Sequence, residues 1–139
     1  DTSISGVLVP RHCGLHVTAI SFASHKWPDI AGDGRQIFRI SVGRREDTRW
    51  MELSDDELFD IVLADTSEIL GQAVPRGDWT VARWPRSLPQ YDVGHTERIT
   101  QIDALSAELP GLSLVGAWRN GLGLPATVAS GLAAADHAS

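Results

Sequence analysis

Cysteine is almost absent from this sequence of 139 residues, which limits the chemistry that the chain can carry. The single cysteine, Cys13, cannot form a disulfide within the chain, and this is typical of proteins of a reducing compartment such as the cytoplasm. His12 and His16 flank it and suggest zinc, because thiolates and imidazoles are favoured zinc ligands. However, the spacing places Cys13 and His16 on different faces, and no second cluster completes four ligands. We therefore predict no metal site.

Long hydrophobic runs and excess positive charge are missing as well. No apolar run approaches the roughly eighteen residues that span a bilayer, so no transmembrane segment is expected. The net charge of −6 argues against a nucleic-acid surface, which would carry excess Lys and Arg. The motifs of serine hydrolases, P-loop proteins and zinc proteases do not occur. The apolar fraction of 42% is nevertheless enough for a packed core.

Three strands and one helix are predicted in the first part of the chain. Ile4–Val9 and Gly14–Ala23 are rich in β-branched residues, and the turn between them indicates a hairpin. Gln36–Val42 alternates between apolar and polar residues and predicts a third strand with one solvated face. Ser54 then caps a helix whose apolar residues recur at helical spacing and which Gly71 ends.

The second part is predicted to contain two strands and two helices. Asp78–Trp84 reads as a fourth strand and Leu112–Ala117 as a fifth. One helix is expected from Thr96 to about Leu109, and the last begins near Pro125. The chain is therefore predicted to be an α+β protein with a mostly antiparallel sheet of about five strands and three helices.

The segment from Gly121 to Ala126, GLGLPA, fits the dinucleotide-binding pattern G-x-G-x-x-G/A. A complete dinucleotide fold needs a further strand and an acidic residue about twenty positions on, whereas 13 residues follow Ala126. The segment is thus not the ADP-binding half of such a fold. Two interpretations stay open. Either the glycines only turn the chain into a helix, or the helix N-terminus forms the second half of a cofactor site and attracts an anionic group.

Two sequence blocks carry a resemblance to a known family. They are RWPRSLPQYDVGHTERI at positions 83–99 and LPGLSLVGAWRNGLGLPATVASGLAAA at positions 109–135. Both resemble the C-terminal end of the porphyrinogen oxidases, FAD enzymes of haem synthesis in the amine-oxidase-like flavoprotein superfamily. The opening GVLVPRHCGLHVTAISFASHKWP is similar to the substrate-domain segment of the same family. Many members have Asp where this chain has Ala126, but the cofactor contacts there are largely main-chain.

The resemblance implies a fragment of a two-domain, FAD-linked oxidoreductase fold. Residues 1–92 would be part of the substrate-binding domain, and residues 93–139 the C-terminal return segment of the FAD-binding domain. Since the family binds the ADP half of FAD through an N-terminal fingerprint, FAD is expected in the full-length enzyme and not in the isolated chain. The implied FAD contacts are Trp84, Gly121, Leu122, Gly123, Leu124, Pro125 and Val128.

The implied reaction is the oxidation of coproporphyrinogen III, or of protoporphyrinogen IX, to the porphyrin with molecular oxygen as the acceptor. The flavin carries this chemistry, so no catalytic acid or base is nominated. The propionates of the substrate need cations, for which the candidates are Arg11, Lys26 and Arg86, although each also fits ordinary surface charge. His25 and His95 are interpreted as polar loop residues. Tyr91 fits equally well a residue that contacts the substrate and a residue that packs between two domains.

Two alternatives to a porphyrinogen oxidase stay open from the sequence. One is a non-catalytic module that binds a tetrapyrrole or a protein partner, and the other is an FAD oxidase of the same superfamily that acts on amines. An upstream dinucleotide fingerprint favours an enzyme. Self-association is expected, because Trp84, Trp118 and the alanine face of the last helix would be left partly uncovered.

Overall fold

A three-stranded antiparallel sheet is the centre of the first of two units, Asp1–Arg83. The computed structural model describes residues 4–32 and 34–137. Strands β1 (Gly6–Leu8), β2 (Val17–Phe22) and β3 (Phe38–Val42) lie in that order across the sheet. Both strand pairs are antiparallel, as predicted for the hairpin and for the third strand.

The core of this unit lies between one face of the sheet and a long helix. Helix α1 (Ala23–Lys26) is a single turn after β2, and helix α2 (Asp55–Leu70) packs on the sheet. Val17 and Ile20 of β2 are 0% and 2% exposed, and they form the core with residues of the strand ends and of α2. The remaining members of this cluster are Val9, Leu58 and Val62.

Helix α2 begins and ends where the sequence predicts. The Ser54 hydroxyl accepts the Glu57 N–H at 3.3 Å, while the Glu57 carboxylate accepts the Ser54 N–H at 2.8 Å. This reciprocal pair is a capping box, which satisfies donors that the first turn leaves unpaired. Gly71 ends the helix with a φ of 66°, a left-handed conformation that suits glycine.

A buried carboxylate joins α2 to the sheet. Asp65, on the core side of the helix, accepts the N–H groups of His16 and Val17 at 2.7 and 3.0 Å. These donors lie at the start of β2, where the register shifts between Val17 and Ala19. The carboxylate therefore satisfies backbone groups that the sheet ladder leaves open, and it sets the position of the helix along the strand.

The predicted fourth strand, Asp78–Trp84, is wrong. This segment forms no regular element, and its side chains attach it to α2 and to the turn before that helix. The Trp79 ring stacks on Phe59 at a centroid distance of 4.6 Å and an interplanar angle of 10°. The Arg83 guanidinium donates to the Trp50 carbonyl at 3.0 Å. Side-chain packing thus replaces the hydrogen-bond ladder of the predicted strand.

The second unit, Trp84–Ser139, is helical in its described residues. It contains α3 (His95–Ala107), α4 (Ala117–Asn120) and α5 (Leu124–His137). The described residues form five α-helices and not the three predicted, of which α2, α3 and α5 lie at the predicted places. The structure adds α1 and α4, which are too short to leave a helical period in the sequence. No helix in the described part of the chain has the length and apolar character needed to cross a membrane.

The predicted fifth strand, Leu112–Ala117, is also wrong. A strand requires a neighbour that completes its hydrogen bonds, and no strand of the described residues pairs with this segment. Side chains satisfy part of its backbone instead. The Arg119 guanidinium donates to the Leu114 carbonyl, and the Gly116 N–H donates to the Ser130 hydroxyl at 3.1 Å. The sheet therefore has three strands and not about five.

Candidate functional site

The glycine loop, defined here as Gly121–Pro125, follows α4 and includes the first two residues of α5. Helix α5 begins at Leu124, and the Thr127 N–H donates to the Gly123 carbonyl at 3.0 Å. The first N–H groups of any helix lack intrahelical acceptors, and the aligned peptide dipoles place partial positive charge there. The loop therefore presents the electropositive end of α5.

The two glycines of this loop differ in their surroundings. A Cβ added to Gly121 would lie 2.6 Å from the Ala126 Cβ, so packing within the unit itself requires glycine there. A Cβ added to Gly123 would meet only the Pro125 Cδ, at an ordinary 3.6 Å, and the φ of Gly123 lies outside the left-handed region that favours glycine. The described part of the chain thus leaves the backbone at Gly123 uncovered. Glycine at this position leaves room for another group to approach the backbone.

Apolar side chains surround this uncovered backbone. Leu124 is 82% exposed and Val128 is 60% exposed, and their spacing of four residues places both on one side of α5. Leu122 is also exposed. An apolar surface beside an electropositive helix end suits a flat ring that gains negative charge at one edge, as the isoalloxazine of a flavin does when it is reduced. The residues of the loop therefore fit the cofactor that the sequence implies.

Trp84 is the predicted contact that the structure does not join to the loop. Its indole is 73% exposed. Among the described residues, no hydrogen bond or aromatic ring contact connects Trp84 with the glycine loop. The structure therefore brings together the loop residues and Val128, and the role of Trp84 stays a prediction.

Tyr91 contacts the glycine loop and α4 directly, and His95 contacts Tyr91 and α4. The Tyr91 hydroxyl accepts the Gly121 N–H at 2.9 Å and donates to the Ala117 carbonyl. Its ring stacks on the His95 imidazole at a centroid distance of 4.0 Å and an angle of 7°. The His95 Nε2 lies 2.8 Å from the Arg119 carbonyl, to which it donates. Sequence reasoning missed these contacts, and the spacing of four residues between the two rings is the signal that could have indicated their pairing.

Arg119 extends the same set of contacts into α3. Its guanidinium donates to the Asp103 carboxylate and to the Leu114 carbonyl. These hydrogen bonds join α4 to α3 and to the segment that precedes α4. The Arg119 Nε is buried without a hydrogen-bond partner in the described part of the chain.

The first unit carries a separate open groove of about 470 Å³. Because side chains alternate across a strand, this groove lies on the sheet face that does not carry the core. Two cations line it, Lys26 after β2 and Arg39 on β3, together with hydroxyl groups. Among the described residues, neither cation has a carboxylate within ion-pair distance. The hydroxyl groups belong to Ser5, Ser21 and Ser41.

The other predicted cations have different surroundings. Arg11 pairs with the Glu46 carboxylate at 3.0 Å, so its charge is already compensated. Arg86 lies in a loop with a φ of 52° and does not line the groove. Sequence reasoning named Lys26 but missed Arg39, since the alternation of β3 alone does not tell which face would carry a site.

Two carboxyl groups with lowered pKa values stabilise turns outside the loop and the groove. Asp47 accepts hydrogen bonds from the Arg49 Nε at 2.7 Å and Nη2 at 2.6 Å, and these bonds lower the pKa of Asp47 to about 2. The hydrogen bonds from Ser54 lower the pKa of Glu57 within the capping box. Both groups are therefore ionised at neutral pH and serve local structure.

Comparison with known sequences identifies relatives along almost the whole chain. Coproporphyrinogen III oxidase of Bacillus subtilis is 33% identical over 135 residues, which cover 96% of this chain and 29% of the relative. The enzyme of the same name from Staphylococcus aureus is 34% identical over 134 residues, with the same two coverages. Protoporphyrinogen oxidase 2 of Arabidopsis thaliana is 28% identical over 135 residues, or 26% of its length. The chain thus spans less than a third of the length of these relatives.

A solved structure agrees with these sequence relatives. The crystal structure of a protein from Exiguobacterium sp. 255-15, assigned as a protoporphyrinogen oxidase, matches with a TM-score of 0.80 and 29% identity. The match covers 95% of this chain and 30% of that protein. The family described as flavin containing amine oxidoreductase matches residues 7–139. Because this match covers nearly the full length of the chain, the chain belongs to the flavin containing amine oxidoreductases.

Proposed function

We propose that this chain forms part of an FAD-dependent porphyrinogen oxidase of haem biosynthesis. The observation that carries the proposal is the uncovered backbone at Gly123, at the electropositive start of α5 and beside exposed apolar residues. Relatives named coproporphyrinogen III oxidase and protoporphyrinogen oxidase support the substrate class. Of the two, coproporphyrinogen III is the proposed substrate, because the two bacterial relatives cited carry its name.

The glycine loop would hold the flavin, and FAD would supply the electron acceptor for the oxidation of the porphyrinogen. The N–H groups at the start of α5 would stabilise the negative charge that the flavin gains when it is reduced. Leu124 and Val128 would provide apolar contact with the ring. The bare backbone at Gly123 allows a planar ring to approach, which any side chain at this position would obstruct.

The groove on the sheet would receive carboxylate groups of the substrate. Lys26 and Arg39 bring two positive charges to one open surface, and the described residues do not neutralise them. A cation that lacks a carboxylate partner is free to bind an anionic ligand, and hydrogen bonds to charged groups contribute more than neutral ones. The propionate groups of a porphyrinogen are anions of this kind.

The remaining assignments follow the same proposal. Residues 1–92 belong to a substrate-binding domain and residues 93–139 to an FAD-binding domain. Trp84 is a further flavin contact, molecular oxygen is the final electron acceptor, and the protein acts in the cytoplasm, where an exposed free thiol such as Cys13 stays reduced.

The test uses the longer enzyme that carries this chain, with FAD bound and coproporphyrinogen III as the substrate. We expect Arg39→Gln and Lys26→Gln each to lower kcat/KM by about tenfold, mainly through KM, with unchanged flavin content. Arg11→Gln is the matched control, because its charge is already paired with Glu46. The 139-residue chain alone should elute from gel filtration without flavin. An enzyme that binds no FAD, or that does not oxidise the porphyrinogen, would disprove the proposed function.

A further inference from the structure

The Tyr91 hydroxyl makes two hydrogen bonds to the backbone around α4. It accepts the Gly121 N–H at 2.9 Å on one side and donates to the Ala117 carbonyl on the other. Ala117 is the first residue of α4, and Gly121 is the first residue after it. One hydroxyl group therefore fixes the distance between the start of this short helix and the start of the glycine loop.

The orientation of the Tyr91 ring is fixed in turn by α3. The ring lies parallel to the His95 imidazole, with a centroid distance of 4.0 Å. The same imidazole donates to the Arg119 carbonyl, near the end of α4. Two side chains four residues apart thus hold three backbone groups of one short segment, those of Ala117, Arg119 and Gly121.

The glycine loop has few other constraints of its own. Leu122 and Gly123 are exposed, and a Cβ added to Gly123 would meet only the Pro125 Cδ, at 3.6 Å. Exposed backbone with few contacts opens at low free energy, and a loop that must be ordered on binding loses affinity by that cost. Contacts that order the loop beforehand therefore act on ligand affinity and not only on stability.

We infer that Tyr91 is a positioning residue for the glycine loop: its hydroxyl sets the Gly121 backbone so that Gly123 and the start of α5 meet the flavin. The inference rests on the proposed function, since it names the residue that prepares the proposed flavin contact. Tyr91 does not itself need to touch the cofactor or the substrate, and its effect passes through the Gly121 N–H.

The experiment replaces Tyr91 with Phe in the longer enzyme that carries this chain. Tyr91→Phe keeps the ring that stacks on His95 and removes both hydrogen bonds to the backbone. We expect FAD to bind about tenfold more weakly, because two backbone groups lose their partner. At saturating FAD, we expect the visible absorption band of the bound flavin to be shifted from that of the wild-type protein, because its surroundings at the loop have changed.

The matched control is Thr100→Val, which removes a hydroxyl bonded to the Thr96 carbonyl on α3, away from the loop. Both variants should melt at similar temperatures in the absence of flavin. If Tyr91→Phe binds FAD as tightly as the wild type and shows the same spectrum, the positioning role is wrong. A variant that only melts earlier, with unchanged FAD affinity and spectrum, would assign Tyr91 to stability alone. If the wild-type enzyme binds no FAD, the proposed function fails, and this inference fails with it.

Discussion

At the scale of single residues, the two glycines of the loop have different reasons to be glycine. Gly121 has no room for a Cβ, because the Ala126 methyl would lie 2.6 Å away. Gly123 has room within the described residues and needs no special φ. The sequence pattern does not distinguish the two glycines. The structure shows that packing requires glycine at Gly121, whereas an external ligand would explain glycine at Gly123.

This difference leads to a prediction for Gly123→Val in the longer enzyme. The fold should survive, since a Cβ at this position would meet only the Pro125 Cδ at an ordinary 3.6 Å, but the branched side chain would occupy the space of the proposed flavin. We expect loss of most bound flavin with only a small change in thermal midpoint. The measurement is flavin released per chain on denaturation, together with a thermal melt.

The control for this prediction is Gly71→Val, at the left-handed residue that ends α2. It should cost about 1 kcal/mol or more of stability, because a branched residue is strained at positive φ, while flavin content stays unchanged. Full flavin content and full porphyrinogen oxidation in the Gly123 variant would mean that the loop is only a turn.

At the scale of elements, the capping box of α2 is set by residues three apart in the sequence. Ser54→Ala removes the acceptor for the Glu57 N–H, and we expect the protein to lose about 1 kcal/mol of stability at pH 7. Denaturant unfolding of the chain measures this loss. Thr100→Val serves again as the control, because its hydroxyl caps no helix end.

The loss of stability in Ser54→Ala should depend on pH, because Ser54 also bonds to the Glu57 carboxylate. The folded pKa of Glu57 lies below its unfolded value, because Ser54 donates to its carboxylate. The stabilisation is therefore fully present above the unfolded pKa, and it disappears as the pH falls through the lower folded pKa. The difference between wild type and Ser54→Ala should shrink below about pH 4. A difference that stays constant between pH 7 and pH 3 would contradict a contribution from the Glu57 carboxylate.

Strands behave differently from helices at this scale. The segments Asp78–Trp84 and Leu112–Ala117 were predicted to be strands, and neither forms one. A helix completes its hydrogen bonds within its own segment, whereas a strand depends on a partner that local sequence does not reveal. The hairpin of β1 and β2 was predictable because its partner follows directly in the chain.

At the scale of the whole molecule, the exposed apolar residues predict self-association. Leu124, Val128 and Leu132 recur every four residues along α5 and are all exposed, and Trp84 is exposed as well. Apolar surface of this kind is commonly buried by association. We expect the 139-residue chain to form dimers or larger oligomers at high micromolar concentration, as measured by light scattering. Leu132→Glu should shift the distribution towards the monomer, and a monomeric wild-type chain under these conditions would refute the prediction.

The sequence by itself determined the hairpin, the limits of α2, the start of α5 and the resemblance to a flavoprotein family. Each of these depends on residues that are close along the chain, such as Ser54 with Glu57, or on a contiguous motif. Only the tertiary structure decided that Tyr91 holds the glycine loop and His95 holds α4, that Arg39 joins Lys26 in one groove, and that the sheet has three strands. These features join residues that are far apart in the sequence, and their pairing depends on how helices and strands pack. The pattern of neighbouring residues does not show which distant elements pack together.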